Sequence, residues 1–233
     1  MHRKIVLGVV GCGWMFWVLP GVTMASQDQD KRESQQHDPD HAYDKGHGQH
    51  DADDQPAEGA DEMAAMMEAF MKLATPGEHH AHMQSLAGKW DIEGKFRMTP
   101  DAPWTESKSE NDAEWILGGR FLTQRVKGEP MMGMPMAFEG FGFMGYDNMT
   151  RKHTFVWVDN FGTMTMTGEG QCSEDGKIMT FMSKFLDPMS GQESFMKSIY
   201  RVESPERYVL QMYGPDPEGN EFLSMELVHT RRK

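Results

Sequence analysis

Four methionines fall within six residues at Met131, Met132, Met134 and Met136, inside the stretch GEPMMGMPMAFEGFGFMGYDN. Thioethers are soft ligands, so such a run could hold Cu(I). Yet the chain carries 23 methionines, among them Met63, Met66, Met67 and Met71 and, further on, Met164, Met166, Met179 and Met182. Where every apolar surface uses methionine, a local run reads first as an adaptable apolar lid, for which the flexible side chain is well suited. Histidines are the other ligand type. His37, His41, His47 and His50 alternate with Asp38, Asp40, Asp44 and Asp51; imidazole and carboxylate together capture Zn, Ni or Cu weakly when nothing fixes their geometry. His79 and His82 lie one helical turn apart with no third ligand evident, and His79 reads better as a hydrogen-bonding group at the closed end of a fold.

A third group lies on an alternating segment, HTFVWVDNFG. Its period of two sets His153, Phe155, Trp157 and Asp159 on one face and Val156 and Val158 on the other. If the first face points inward, it supplies aromatic walls and one acid near a mouth; if outward, Asp159 and Asn160 shape the turn. Trp115, Tyr146 and Tyr213 are further candidates for such a wall, each with plain core packing as its alternative. His153 or His229 could act as an axial haem ligand inside a barrel, though only the presence of a strand histidine supports that idea. No Ser/His/Asp order, phosphate loop, dinucleotide fingerprint or HExxH occurs, so no catalytic residue and no cofactor is assigned.

The elements that must position these groups change character along the chain. In DEMAAMMEAFMKLA, Met63, Met66, Met67, Phe70 and Leu73 recur at helical spacing. TPGE follows, with Thr75 as N-cap, Pro76 in the first helical position and Glu78 closing a capping box, which predicts a second helix from Pro76 to about Leu86. From Trp90 the period becomes two: Trp90, Ile92, Phe96 and Met98 alternate with Asp91, Glu93, Lys95 and Arg97. Nine more segments of this kind follow, over 111–116, 120–127, 138–146, 153–159, 163–172, 177–185, 193–202, 207–213 and 221–230. Turn formers such as Gly118-Gly119, Asp175-Gly176 and Glu218-Gly219 separate them. Ten short antiparallel strands in a meander favour a closed barrel, which removes its own sheet edges, over a two-sheet sandwich.

Charge divides the chain differently. Residues 26–62 hold twelve acids against Lys31, Arg32 and Lys45, so they carry −9 of the formal −13. With Tyr43 as its one aromatic and no Val, Ile, Leu or Phe, this segment cannot bury enough apolar area to offset chain entropy and is expected to be a disordered linker. Such an acidic balance has no nucleic-acid footprint. Ahead of it, MHRK, an apolar core and small residues near Ala25 have the order of a secretory signal peptide. The apolar core is too short for a comfortable membrane span. Trp14, Met15, Phe16, Trp17 and Leu19 continue the apolar run past Cys12, which disfavours lipidation there. Cleavage near Ala25 leaves Cys172 as the sole mature cysteine, so an internal disulfide is not expected.

From Thr75 onward the pieces TPGEHHAHMQSLAGKWD, SENDAEWILGGRFL, GMPMAFEGFGFMGYDN, WVDNFGT, FLDPMSG and MELVHTRR resemble the bacterial family called domain of unknown function 1579. The resemblance spans residues 75–233 and implies a lipocalin-like, calycin-type barrel with no established activity. Gly88-Lys89-Trp90 is similar to the glycine-x-tryptophan at the first strand of lipocalin-type barrels. There an arginine near the last strand stacks over that tryptophan, and the likeness implies that Arg231 or Arg232 does so here as a structural lock.

These readings converge on a mainly β chain: a signal peptide (1–25), an acidic linker (26–60), a helical segment (61–86) and an up-and-down barrel of about ten strands (87–233). The expected function is binding of a small, mainly apolar ligand by an exported, periplasmic or secreted protein. Candidate contacts are Trp115, Met132, Met134, Tyr146, His153, Trp157, Asp159 and Tyr213. Metal capture by the tail histidines, or a barrel enzyme built on Asp159, are the alternatives. Neither a protein partner nor a transmembrane segment of the mature chain is indicated.

Overall fold

The structure is a computed structural model that describes residues 57–130, 135–187 and 191–233. Met131, Met132 and Met134, the tail histidines His37, His41, His47 and His50, and the expected signal peptide lie outside the described residues. The chain divides into two compact units, and the described residues of the larger one lie within Ala69–Lys233.

Helix α1 runs over Ala57–Ala74, earlier at its start than the hydrophobic spacing predicts. Its Met63, Met66, Met67 and Phe70 are exposed. Helix α2 is a single turn, Glu78–Ala81, continued by a 3-10 turn over His82–Leu86. The predicted cap is therefore corrected: Gly77, not Thr75, is the N-cap, and its N–H donates to His80 Nδ1 (3.1 Å). The Thr75 hydroxyl is already engaged, donating to the Met71 carbonyl (2.6 Å) at the end of α1. Pro76 consequently precedes the helix.

Ten strands follow: β1 (Gly88–Phe96), β2 (Thr105–Ile116), β3 (Phe121–Pro130), β4 (Ala137–Asp147), β5 (Lys152–Asp159), β6 (Met166–Cys172), β7 (Ile178–Leu186), β8 (Glu193–Ser204), β9 (Arg207–Pro215) and β10 (Glu221–Arg231). Each pairs antiparallel with its sequence neighbour, and β1 pairs with β10 from Trp90↔Arg231 to Phe96↔Met225, so the barrel is closed. Closure satisfies the backbone groups that an open meander would leave at two edges. β6 begins three residues later than predicted and β2 six residues earlier.

The inward face of β1 is the alternating set that its sequence announces: Trp90, Ile92 and Phe96 are buried while Asp91 and Glu93 are exposed. At one end, Met83 and Leu86 of the 3-10 turn pack with Trp90, Ala113, Leu122, Met144, Met179, Phe181 and Tyr208 into a solid core. Fully burying one such large apolar side chain stabilises the fold by about 1.5–3 kcal/mol, so this plug is a main source of stability. The Trp90 indole N–H is satisfied by donating to the Leu86 carbonyl (3.0 Å).

Arg231, not Arg232, lies over Trp90, with its guanidinium carbon 4.1 Å from the ring centroid. It donates to the carbonyls of Ala87 (2.9 Å) and Pro205 (2.8 Å), tying β10 to the turn before β1 and to the β8–β9 turn. Gly88 has φ 125, and a Cβ there would collide with the Arg231 guanidinium. The glycine of the Gly-Lys-Trp triplet thus provides both the left-handed turn into β1 and the space for the arginine. Arg232 instead pairs outside with Glu110 and Asp112, each at 2.7 Å.

Candidate functional site

Beyond the Trp90 and Tyr208 layer the barrel is not filled. A cavity of about 250 Å³ runs from His229, Tyr200 and Gln124 in mid-barrel to Asp159, Asp187 and Pro215 at the end away from the helices. Its walls are mainly Phe96, Phe155, Trp157, Phe185 and Phe195 with Met166, Met196 and Met212. Apolar walls with a few placed polar groups are the usual construction of a small-molecule site.

The β5 face that alternation selects is the inward one, since Phe155, Trp157 and Asp159 line this cavity. Trp157 fits because β4 has glycines opposite it. Trp157 pairs with Gly142, where a Cβ would come 2.7 Å from the indole and 2.5 Å from the Val156 carbonyl. The indole N–H donates to Asp159 Oδ2 (3.1 Å), and Asp159 Oδ1 accepts from the Phe161 N–H (3.0 Å). Asp159 therefore both lines the lumen and shapes the turn, so the two readings of this acid describe one side chain. Asn160 serves the turn alone, accepting from the Glu139 N–H (3.0 Å) and donating to the Ala137 carbonyl (2.8 Å).

Four predicted wall residues do not line the cavity, and each has a physical reason. Trp115 packs beside the plug and donates to Gln84 Oε1 (2.7 Å). Tyr213 alternates with the inward Leu210 and Met212 in a strand where its ring meets Lys197 (4.8 Å). Tyr146 and His153 point inward but one layer too far toward the helices. There the His79 ring stacks on Tyr146 (centroids 4.3 Å apart), and His153 Nε2 donates to the His79 carbonyl (3.1 Å).

Burial is the main cause holding the His153 pKa below its ordinary 6.5, with the neighbouring histidines acting the same way. Burial likewise lowers His80, helped by His79 and Arg120. Among the described residues no group of His, Cys, Asp or Glu is arranged to hold a metal ion.

Polar lumen residues are what sequence reading overlooked. Ser107 and Ser109 occupy inward positions of β2, and Ser194, Ser198 and Ser224 do so on β8 and β10. Serine at a buried position is indistinguishable by type from serine at a surface position, so alternation fades where the lumen is polar. Tyr200 lies deep in the cavity, and burial raises its phenol to about 12, only partly offset by a hydrogen bond with Gln124. His229, 3% exposed, stacks on Tyr208 at 4.0 Å between centroids. Burial pushes its pKa down to about 3, against the opposing effect of the Leu227 carbonyl. The imidazole is accordingly neutral at physiological pH.

A closed ten-stranded antiparallel barrel, plugged by a helical turn and hollow beyond it, defines a small β-barrel protein with an apolar lumen. The family model described as protein of unknown function (DUF1579) matches residues 75–231, and the chain belongs to that family. Among solved structures, the chain is similar to the crystal structure of Rv2717c from M. tuberculosis, at 15% identity and a TM-score of 0.52. That match covers 68% of this chain and 100% of the other, and it shows a shared fold. A redesigned β-barrel also matches, at 12% identity over 65% of this chain and 96% of that one, with a TM-score of 0.34. No curated protein matches the chain.

Proposed function

We propose that this is an exported protein whose barrel holds one small, mainly apolar molecule in its lumen. The observation that carries this reading is the cavity of about 250 Å³, walled by phenylalanine, tryptophan and methionine inside a barrel whose other end is packed solid. Removing apolar surface from water contributes about 25 cal/mol per Å², which drives such binding against the entropy of immobilising the ligand. Methionine walls can adjust to ligands of differing shape.

Binding is tested with Nile red, a neutral dye whose fluorescence rises in apolar surroundings. One dye per chain is expected. Replacing Leu210, a cavity-lining residue, by Trp narrows the lumen and should weaken the signal at least tenfold while the circular dichroism of the barrel is retained. Unchanged dye binding by that variant would put the dye outside the lumen and overturn the reading. Export rests on the layout of Met1–Ala25. The mass of the protein recovered from outside the cytoplasm of its source cells should correspond to a chain beginning near Ser26; recovery of the full-length chain in the cytoplasm would refute it.

A further inference from the structure

The lumen has a polar centre whose chemistry selects among apolar ligands. His229 Nδ1 lies 3.3 Å from the Leu227 carbonyl. Two facing lone pairs would repel, so this nitrogen carries the proton and donates, leaving the lone pair on Nε2. Nε2 has no hydrogen-bond partner among the described residues, and it is not among the side-chain atoms sealed off without one. The ring belongs to the cavity wall, and Nε2 is the polar atom it has left to offer a ligand there. A ligand hydroxyl can donate to this nitrogen, whereas an ether or a hydrocarbon cannot.

The charges around the cavity point the same way. Among the described residues, no lysine or arginine lines it, whereas Asp159 and Asp187 do. The nearby guanidinium of Arg231 lies over Trp90 in the plug and is engaged with the Ala87 and Pro205 carbonyls. A carboxylate held at His229 would lose its hydration without gaining a cation.

We propose that the lumen takes a neutral, mainly apolar molecule bearing a hydroxyl or phenol, which donates to His229 Nε2, and that it rejects carboxylates of the same size. This rests on the lumen-binding reading above and specifies its ligand class. Ser198, 4% exposed, adds a further hydroxyl to the cavity wall, four residues along the strands from the His229 row. The long arm of the ligand would run past Phe155 and Trp157 toward the far end.

Three matched probes test it by displacement of Nile red from the full chain: 1-decanol, its methyl ether and decanoate. The alcohol is expected to displace the dye at a concentration at least tenfold below that needed for either other probe. His229→Gln, whose amide oxygen can still accept, should keep most of that preference, and His229→Phe should remove the preference over the ether. If His229→Phe does not fold, the comparison on the unaltered protein still decides. Decanoate matching or exceeding decanol, or the ether matching the alcohol, overturns the proposal while leaving lumen binding intact. Failure of Nile red and all three probes to bind overturns both.

Discussion

At the scale of single residues, the buried imidazoles make the fold sensitive to acid. The native His229 stays neutral to about pH 3, whereas an unfolded histidine takes up its proton near its ordinary 6.5. Below pH 6.5 the unfolded chain binds a proton that the native state refuses. Stability from this group is therefore full above 6.5 and falls as pH drops toward 3, by up to about 1.4 kcal/mol per pH unit. His153 and His80 are shifted in the same direction and add to the slope. The urea midpoint should fall between pH 7 and pH 4.5, and less steeply in His229→Phe; equal slopes in the two proteins would show that His229 is not buried in neutral form. Cys172 behaves in the opposite sense, since burial first and Asp175 second raise its thiol pKa. A thiol with little thiolate reacts slowly. Iodoacetamide at pH 7.5 should modify native Cys172 more than tenfold slower than the urea-unfolded chain, and equal rates would contradict its half-buried position. At the plug, Arg231→Ala removes a contact over Trp90 and leaves the Ala87 and Pro205 carbonyls without that donor. A loss of about 1–3 kcal/mol is expected in denaturant unfolding, with Arg231→Lys recovering only part, because an ammonium lacks the planar fork.

At the scale of elements, the strands that read clearly are those with apolar inward faces. β1 alternates cleanly, so its buried set is visible in the sequence, while β5 shows its two faces in residue type although Thr154 to Trp157 are all half-buried. β2 is read short because Ser107 and Ser109 are inward yet polar, and its first apolar inward residue is Ala113. The second helix is read long because TPGE carries every cap signal, while the actual cap is Gly77, whose N–H meets His80. Local preference proposed one start, and the side-chain contacts of the plug selected another two residues on. The pairing of β4 with β5 shows the reverse case, in which glycine marks a close approach. Gly142→Ala would press a methyl group against the Val156 carbonyl and the Trp157 indole. Overpacking of this kind destabilises by about 1–3 kcal/mol, which the denaturant midpoint measures. An unchanged midpoint would mean that Trp157 can leave its place over β4.

At the scale of the whole molecule, a barrel closed by β1 and β10 joins the two ends of the domain, and one half of it is hollow. A ligand that binds only the folded state stabilises it by about 2.7 kcal/mol at a hundredfold excess over Kd. Saturating 1-decanol should therefore raise the midpoint of thermal unfolding, and should do so less in Leu210→Trp, where the space is narrowed. The sequence by itself determined the β class, the succession of ten strands, the Gly-Lys-Trp entry and the division of β5 into an aromatic and a valine face, because period-two patterning and turn chemistry are local properties of the chain. Only the tertiary structure decided which inward residues meet a plug and which meet empty space. Tyr146 and His153 share an inward face with Trp157 and Asp159, yet the helical turn over His79–Leu86 packs against the first pair and not the second. That distinction depends on where residues distant in sequence come to rest along the barrel axis. The same holds for His229, whose burial beside Tyr208 depends on the register in which β9 and β10 pair.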